Sequence, residues 1–389
     1  MRSTITLIAV LLAACAVGAA HASSGNPILV GAAEDSGQQM DPVAAYAKMS
    51  LARLAGFDAI RLTSIWRPGE VEIGGDELVG LANAAEAARL NGIRVFVSVY
   101  QYGALTTPLT PTARDEFASY AASIPRLIPY VRDVIVGNEP NLNRFWMPQF
   151  TIDGRDAAAP SYLGLLALTY DRLKAVSPDI NVIGGSLSPR GGDDPHSIRQ
   201  THSPTNFIRD LGRWYRRSGR DRPVMDWLAF HPYLESSRVP PTFVHPRSTT
   251  IALADYGKLR ALLGQAFDGT AQPGSDLPIL YDEFGVQTYS APDKLSLYTN
   301  RRRPSAADAV DEATQARYYR EALELAVCEP TVVGLLFFHV SDEADLDRWQ
   351  SGVYYADDTP KTSLPAVAAA AEAARTGSLV SDCGLALRR

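Results

Sequence analysis

Two glutamates, each close to the end of an apolar run, are the residues of this 389-residue chain best suited to carry out chemistry. Glu139 ends the run VIVGNE, and Glu283 lies near the end of the run PILYDEF. A facing pair of carboxyl groups can cleave a glycosidic bond, because one group protonates the leaving oxygen while the other attacks the anomeric carbon or activates water. The pair therefore predicts glycoside cleavage if the fold brings the two runs together.

The elements that would position this pair follow from a regular series of eight apolar runs. Most of the runs are continuous rather than alternating, which is typical of parallel strands in a covered sheet. They cover residues 28–33, 59–64, 94–100, 134–139, 181–186, 225–233, 278–284 and 332–340.

Helical patterns with apolar residues at three-to-four spacing separate these runs. Asp41-Pro42 opens the first helix and Asn91-Gly92 ends the second; later patterns cover residues 161–176, 205–217, 251–267, 305–327 and 365–375. Strand and helix in eightfold alternation predict an α/β fold, a single-domain (β/α)8 TIM barrel over residues 26–389. A large Rossmann-like domain is the alternative, although no G-x-G-x-x-G motif follows the first run.

The predicted strand ends are polar and aromatic, and the active site of a (β/α)8 barrel lies at the carboxyl ends of its strands. Aromatic rings around a carboxylate pair could stack on the flat faces of sugar rings. Each residue also has a simpler explanation, since a lone glutamate is usually a solvated charge and a large ring can pack beneath the helices. Their coincidence at one end favours a carbohydrate site. Besides the two glutamates the strand ends supply Arg61, Trp66, Tyr100, Asn138, His231, Tyr233 and His339.

Two short segments resemble the signatures of retaining glycoside hydrolases of clan A: Gly137-Asn138-Glu139-Pro140 and Asp282-Glu283-Phe284-Gly285. The first segment continues as the longer run Asn138-Glu139-Pro140-Asn141-Leu142, which, with Phe145-Trp146 behind it, is similar to family 39. The second, together with Arg61-Leu62 before Trp66, looks more like family 5, and His231-Pro232-Tyr233 also resembles the clan pattern. The likeness covers most of the chain in layout but only these segments in close motif.

The resemblance implies a role for each matching residue. Glu139 would be the general acid/base and Glu283 the nucleophile, while Asn138 would hydrogen-bond the sugar 2-hydroxyl in the transition state. Arg61 and Tyr233 would hold Glu283 ionised and aimed. Asp282 is the alternative to Glu283, since neighbours in a strand point to opposite faces and only one of the two acids should look into the barrel mouth.

The eighth run departs from the clan pattern, in which many members end this strand with a tryptophan that forms a floor for the sugar. Here the run ends Phe337-Phe338-His339, and Trp349 in the following loop is the candidate replacement. The identity of the sugar is therefore not predicted. A non-catalytic carbohydrate-binding barrel that keeps the aromatic residues is the alternative to an enzyme, although the presence of both carboxylates counts against it.

The formal net charge of −6 argues against nucleic acid as a partner, because phosphate binding needs clustered lysine and arginine. No metal or other cofactor is predicted. The acidic residues at 342–347 lack the glycine and final glutamate of a calcium loop, and His196 and His202 lack a zinc motif. Arg301-Arg302-Arg303 could meet an acidic sugar or be a solvated charge run. Oligomeric state is not predicted.

The first 22 residues have the pattern of a secretory signal peptide that ends at Ala20-His21-Ala22. Alternatively, Leu12-Ala13-Ala14-Cys15 resembles a bacterial lipobox, which would anchor the mature protein through a lipid on Cys15. Either reading predicts a secreted or extracytoplasmic protein with no stable membrane span after the leader. In that setting Cys328 and Cys383 could form a disulfide, with two buried thiols as the alternative.

Overall fold

The computed structural model describes residues 24–300 and 308–386. Eight parallel strands close into one barrel in chain order, with β8 paired to β1, which confirms the predicted (β/α)8 fold. The expected leader with Cys15 and the three arginines at 301–303 lie outside the described residues. The strands are β1 Leu29–Ala33, β2 Ala59–Trp66, β3 Arg94–Gln101, β4 Asp133–Val136, β5 Asn181–Leu187, β6 Trp227–Phe230, β7 Ile279–Phe284 and β8 Val332–Phe338.

Helices on the outside of the barrel follow the strands, and side chains cap several of them. Asp41, Thr110 and Ser203 each precede a proline at the first helical position and accept a hydrogen bond from an amide of the first turn, as expected at helix starts. The helices are α1 Pro42–Leu54, α2 Gly75–Leu90, α3 Pro111–Leu127, α4 Ala158–Val176, α5 Pro204–Ser218, α6 Tyr256–Phe267, α7 Glu312–Ala326, α8 Leu364–Arg375 and α9 Cys383–Ala386; short 3-10 turns cover Ala104–Thr106, Leu253–Asp255 and Leu295–Leu297.

Several boundaries differ from the predicted ones for local reasons. Helix α7 begins at Glu312 rather than at residue 305, because Asp311 caps it by accepting from the Thr314 amide at 2.6 Å. Strand β6 ends at Phe230 rather than at residue 233, since Pro232 has no N–H to continue the ladder. His231 and Tyr233 therefore lie on the loop just above β6.

A layer of apolar side chains fills the barrel interior below its mouth, and all of its members are fully buried. The members come from seven strands: Ala59, Phe96, Ile135, Ile183, Ala229, Leu280 and Leu336. Because side chains alternate along a strand, residues two positions later point to the same interior one pleat higher. That next layer is where the polar residues begin.

Two further features bear on the sequence expectations. Cys328 and Cys383 form a disulfide, which ties the C-terminal segment to the residues just before β8. Among the described residues, every helix is too short or too polar to cross a lipid bilayer.

Candidate active site

A cleft of about 1010 Å3 opens at the carboxyl ends of the strands, and residues from all eight strand ends line it. Both Glu139 and Glu283 lie in it, together with Arg61, Tyr100 and Asn138. Of the polar layer one pleat above the apolar interior, Arg61 lines the cleft, whereas His231 and Asp282 are fully buried beneath it. The fold therefore brings together the two runs that carry the glutamates.

The backbone is strained where it delivers Glu139 to this cleft. Glu139 has φ of 40°, in the left-handed region that favours glycine, and its amide donates to the Ser186 carbonyl at 2.8 Å. Ser186 and His339, at the ends of β5 and β8, also have positive φ. Strain of this kind costs about 1–3 kcal/mol per residue and is concentrated at functional sites, so its presence at three strand ends supports a functional role for the cleft.

Glu283 is held by two donors, one on each carboxylate oxygen. The Arg61 guanidinium donates to Oε1, and the Tyr233 hydroxyl donates to Oε2 at 3.2 Å. Burial opposes the charge of Arg61, but Glu283 and Asp282 more than offset it, so the pKa of Arg61 lies above its usual value. Arg61 is thus a permanent cation beside the carboxylate.

Arg61 also fixes the orientation of Asn138. Its Nη2 donates to Asn138 Oδ1 at 2.9 Å and to Ser98 Oγ at 3.2 Å. Because the Asn138 oxygen accepts from Arg61, its amide NH2 is the group that can donate to a ligand in the cleft.

Glu139 and Glu283 meet at one nitrogen of His231. His231 Nδ1 lies 3.1 Å from Glu139 Oε1 and 3.6 Å from Glu283 Oε2. The two oxygens can be no further apart than the sum of these distances, which is close to the lower limit for inverting glycosidases, about 6.5–9.5 Å between carboxyl groups. This upper bound admits the separation of about 5–5.5 Å that is typical of a retaining pair and excludes all but the lower end of the inverting range.

Asp282, the alternative to Glu283, lies below the cleft. Its side chain is fully buried and does not line the cleft, whereas Glu283 does. Both acids nevertheless contact Arg61 and His231, which strict alternation along β7 does not allow. The pairing register between β7 and β8 shifts between Tyr281 and Phe284, and this irregularity lets both carboxylates face the barrel axis.

An aromatic wall lies on the β6 to β8 side of the cleft and includes Trp349, the candidate replacement for the tryptophan of the eighth strand. Trp349 lines the cleft, with its ring 5.4 Å from the rings of both Tyr233 and Phe338. His339 lies beside Phe338, and its Nε2 is 3.7 Å from Glu343 Oε2. On the opposite side Tyr100 lines the cleft next to Phe145, at 6.4 Å between ring centroids.

Trp66 requires a correction, because the structure places it away from the cleft. Its side chain is fully buried, packs edge-on against Phe117 of α3, and donates from Nε1 to the Glu70 carbonyl. Trp66 follows Arg61 by an odd number of residues, so on a regular strand the two side chains point to opposite faces. Trp66 therefore packs between the sheet and the helices and is not a sugar-stacking residue.

Sequence reasoning missed the buried hydroxyl groups of the polar layer. Ser186 Oγ lies 2.9 Å from His231 Nε2 and donates to Asp282 Oδ2 at 2.7 Å. Ser98 Oγ accepts from Arg61. A signal was present, because Ser186 ends the fifth apolar run and Ser98 lies two residues before Tyr100 on β3, but a serine in a strand has no distinctive pattern.

The acidic cluster after β8 has a structural use. Asp342 forms a fully buried ion pair with Lys361 at 2.8 Å and accepts from the Tyr298 hydroxyl at 2.7 Å. In the described part of the chain, no group of three or more histidine, cysteine or acidic side chains is arranged to hold a metal ion.

Solved structures that resemble this chain include several glycoside hydrolases. A GH39 enzyme from Xanthomonas axonopodis pv. citri is 16% identical with a TM-score of 0.56, covering 89% of this chain and 67% of that chain. A GH39 β-xylosidase from Caulobacter crescentus is 17% identical with a TM-score of 0.55, covering 90% and 72%. A GH5_18 enzyme variant from Streptomyces cattleya, in complex with Manβ1-4GlcNAc, is 15% identical with a TM-score of 0.58, covering 91% and 81%.

No family model matches the sequence, and no curated protein matches it. At identities this low the likeness to solved structures establishes the fold. Together with the closed eight-stranded barrel, it confirms the resemblance to clan A glycoside hydrolases in architecture.

Proposed function

We propose that this protein is a retaining glycoside hydrolase for β-linked sugars, with Glu283 as the nucleophile and Glu139 as the general acid/base. The observation that carries the proposal is that both carboxylates line the cleft and converge on Nδ1 of His231, which is buried beneath it. The likeness to a β-xylosidase and to an enzyme crystallised with Manβ1-4GlcNAc supports it.

In the first step, Glu283 attacks the anomeric carbon while Glu139 gives its proton to the leaving oxygen, which produces a covalent glycosyl-enzyme. Arg61 and Tyr233 each occupy one position on the Glu283 carboxylate, so the attacking lone pair has a fixed direction. The Asn138 amide would donate to the sugar 2-hydroxyl, a contact that strengthens as positive charge develops on the ring.

In the second step, Glu139 is a carboxylate and takes a proton from water. That water attacks the anomeric carbon from the side the leaving group vacated, and the bond to Glu283 breaks. Two inversions give net retention. The cleft volume of about 1010 Å3 is at the upper end for small-molecule sites, ~300–1,000 Å3, and suits an oligosaccharide or a glycoside with a bulky leaving group.

A mechanism-based trap tests the proposal directly. Aryl 2-deoxy-2-fluoro-β-glycosides of xylose, mannose and glucose are incubated with the protein, which is then digested and analysed by mass spectrometry. We expect one glycosyl group on the peptide that contains Glu283. If no activated β-glycoside is turned over, no adduct forms and oligosaccharides bind tightly, the protein is a carbohydrate-binding barrel instead.

Azide rescue separates the two roles. In Glu139→Ala, azide should attack the glycosyl-enzyme and give a β-glycosyl azide, whereas in Glu283→Ala it should replace the nucleophile and give an α-glycosyl azide. Glu324→Gln, which removes a surface carboxylate of α7, is the control and should behave as the wild type. Identical products from both alanine variants would contradict the assignment.

We also propose that the protein acts outside the cytoplasm. The leader pattern of residues 1–22 supports this, and so does the Cys328–Cys383 disulfide, since disulfides persist in oxidising compartments. The mass of the mature protein from a bacterial host tests it. Cleavage after Ala22 indicates secretion and a diacylglyceryl group on Cys15 indicates anchoring, whereas an intact N-terminus in the cytoplasm contradicts export.

A further inference from the structure

His231 is a buried histidine that transfers no proton in the two-step mechanism. Its side chain has no exposed surface, yet both proposed catalytic carboxylates lie against its Nδ1. Charged and titratable groups face it from several elements of the barrel. The groups in direct contact with the ring are Glu139 after β4, Ser186 of β5, the Tyr233 ring, and Asp282 and Glu283 of β7. Arg61 of β2 acts on it through its own contact with Asp282.

The hydrogen-bond donors around this ring can be counted. Ser186 has one hydroxyl proton, and it is donated to Asp282 Oδ2 at 2.7 Å, because an ionised carboxylate can only accept. Ser186 Oγ must then accept from His231 Nε2 at 2.9 Å, so Nε2 carries a hydrogen. On the other side of the ring, Nδ1 lies 3.6 Å from Glu283 Oε2, and an unprotonated Nδ1 would place its lone pair against that anion. A protonated Nδ1 avoids this and can donate to Glu139 Oε1 at 3.1 Å, because even a protonated carboxyl group keeps one oxygen that accepts. Both nitrogens are therefore protonated.

We propose that His231 is a permanent imidazolium that bridges the two catalytic carboxylates, and that Asp282 holds it in that state through direct charge and through the Ser186 hydroxyl. His231 and Asp282 are positioning residues, since neither touches the reacting atoms. Burial disfavours the charged ring, but Glu283 and Asp282 outweigh it and raise the pKa of His231 to about 10, which agrees with the proton count.

The bridge has a use in the cycle, and this part rests on the proposed function. In the free enzyme Glu283 carries the negative charge and Glu139 carries the proton. When C1 bonds to Glu283, the electron pair of the broken bond leaves with the departing oxygen, which takes the Glu139 proton. The charge has then moved from Glu283 to Glu139, and hydrolysis returns it. At each stage one anion remains within reach of Nδ1, so a single fixed cation stabilises both resting states.

Asp282 is well placed to maintain this charge. It is fully buried, and its Oδ2 lies 3.4 Å from His231 Nε2 and 3.6 Å from Arg61 Nε. A buried carboxylate is stable only when its charge is compensated, and His231 and Arg61 provide the compensation. Although burial opposes its ionisation, these two cations lower the pKa of Asp282. The two groups therefore keep each other ionised.

Nitrogen chemical shifts of the imidazole ring test the proposal without any substrate. The protein is labelled with 15N-histidine, and the His231 signals are identified by their loss in His231→Gln. We expect both ring nitrogens of wild-type His231 to remain protonated from pH 5 to pH 8. In Asp282→Asn we expect one nitrogen to lose its proton within that range. Asp156→Asn, which removes the acid 3.3 Å from buried His202, is the matched control and should leave His231 unchanged.

A second readout is the pH dependence of kcat/KM on an aryl β-glycoside. In Asp282→Asn, activity should fall as pH rises through the lowered His231 pKa, so the alkaline loss should begin at lower pH than in the wild type. Ser186→Ala keeps the Asp282 charge and should shift the profile less. If Asp282→Asn does not fold, the nitrogen chemical shifts of the wild type and the pH profile of Ser186→Ala still test the proposal.

Two outcomes overturn the inference: a neutral His231 in the wild type at pH 6, or a folded Asp282→Asn in which His231 stays doubly protonated to pH 8. A failure of the proposed function is recognised separately, since a protein without glycosidase activity still reports the His231 protonation state. An active enzyme with neutral His231 would refute the bridge alone.

Discussion

At four places around the barrel an apolar residue lies in the interior layer and the residue two positions later, on the strand or just after it, is polar and lies in the layer above: Ala59 and Arg61, Phe96 and Ser98, Ala229 and His231, Leu280 and Asp282. Both layers are buried and both are positioned by the same pleat. The lower layer excludes water and contributes stability through apolar burial. The upper layer contains ions whose desolvation is costly and is compensated by contacts among themselves and with Glu139 and Glu283.

The difference between the layers shows how a barrel separates its two tasks. The lower layer only has to be apolar and of the right volume, so substitutions there should change stability and leave the chemistry intact. The upper layer has to keep particular distances, so substitutions there should change activity even when the protein remains folded. Each of the following variants tests one side of that comparison.

The largest effect is expected from Leu280→Ala in the lower layer. Leu280 is fully buried, and removing its side chain should lower the free energy of unfolding by about 2–5 kcal/mol. Chemical denaturation measures the loss, and kcat at a temperature where the variant is folded should stay close to the wild-type value. Leu54→Ala, at an exposed position of α1, is the control. A large fall in kcat with unchanged stability would show that the layers are not separate.

Arg61→Lys in the upper layer should have the opposite profile. Lysine keeps the charge but cannot contact Glu283, Asn138 and Ser98 together, because it lacks the planar fork of arginine. We expect kcat/KM to fall by about 100-fold, the loss typical of a misplaced reacting group, with a folded protein by circular dichroism. The control is Arg94→Lys, because Arg94 pairs with Asp133 at the opposite end of the barrel. This variant should retain activity. Full activity in Arg61→Lys would remove the argument for a geometric role.

The lower layer was predictable from sequence to a degree that the upper layer was not. Continuous apolar runs and their spacing depend on local composition, and they were enough to predict the barrel and to place Glu139 and Glu283 at one end of it. The alternation of side chains could also have excluded Trp66, because its odd spacing from Arg61 was visible in the sequence. The contacts of Arg61 and Tyr233 with Glu283 were expected only through family resemblance.

The remaining details depend on distances between strands that are far apart in the chain. The bridge from Asp282 through Ser186 and His231 to Glu139 joins β7, β5, the β6 loop and the end of β4, and no local pattern encodes it. The register shift between β7 and β8 lets Asp282 and Glu283 share one side. The apolar pattern of the sequence does not predict this shift either. Sequence patterns therefore located the site, and tertiary packing determined its electrostatics.

Trp349→Ala should have a smaller effect that is confined to binding. Its ring packs at a tilt against Tyr233 and edge-on against Phe338 at the cleft wall. Its loss should raise KM for a short glycoside by about tenfold, equivalent to ~1.4 kcal/mol, and leave kcat nearly unchanged. Steady-state kinetics separates the two constants. Trp214→Ala on the outer face of α5 is the control. A fall in kcat without a change in KM would indicate that Trp349 positions a reacting group.

The smallest effect on activity is expected from Glu329→Gln, which replaces a buried acid whose contacts are structural. Glu329 accepts from the Tyr281 hydroxyl at 2.8 Å, and burial raises its pKa well above the usual value. In the unfolded chain the same group ionises near its ordinary pKa, so folding loses stability as pH rises above that value. A glutamine cannot ionise, and the variant should therefore gain stability relative to the wild type as the pH rises from 5 to 8. Denaturation at both pH values measures this gain, with kcat as the control. A difference that does not depend on pH would mean that the wild-type carboxyl group stays ionised in the fold, and burial of charge would then extend beyond the upper layer.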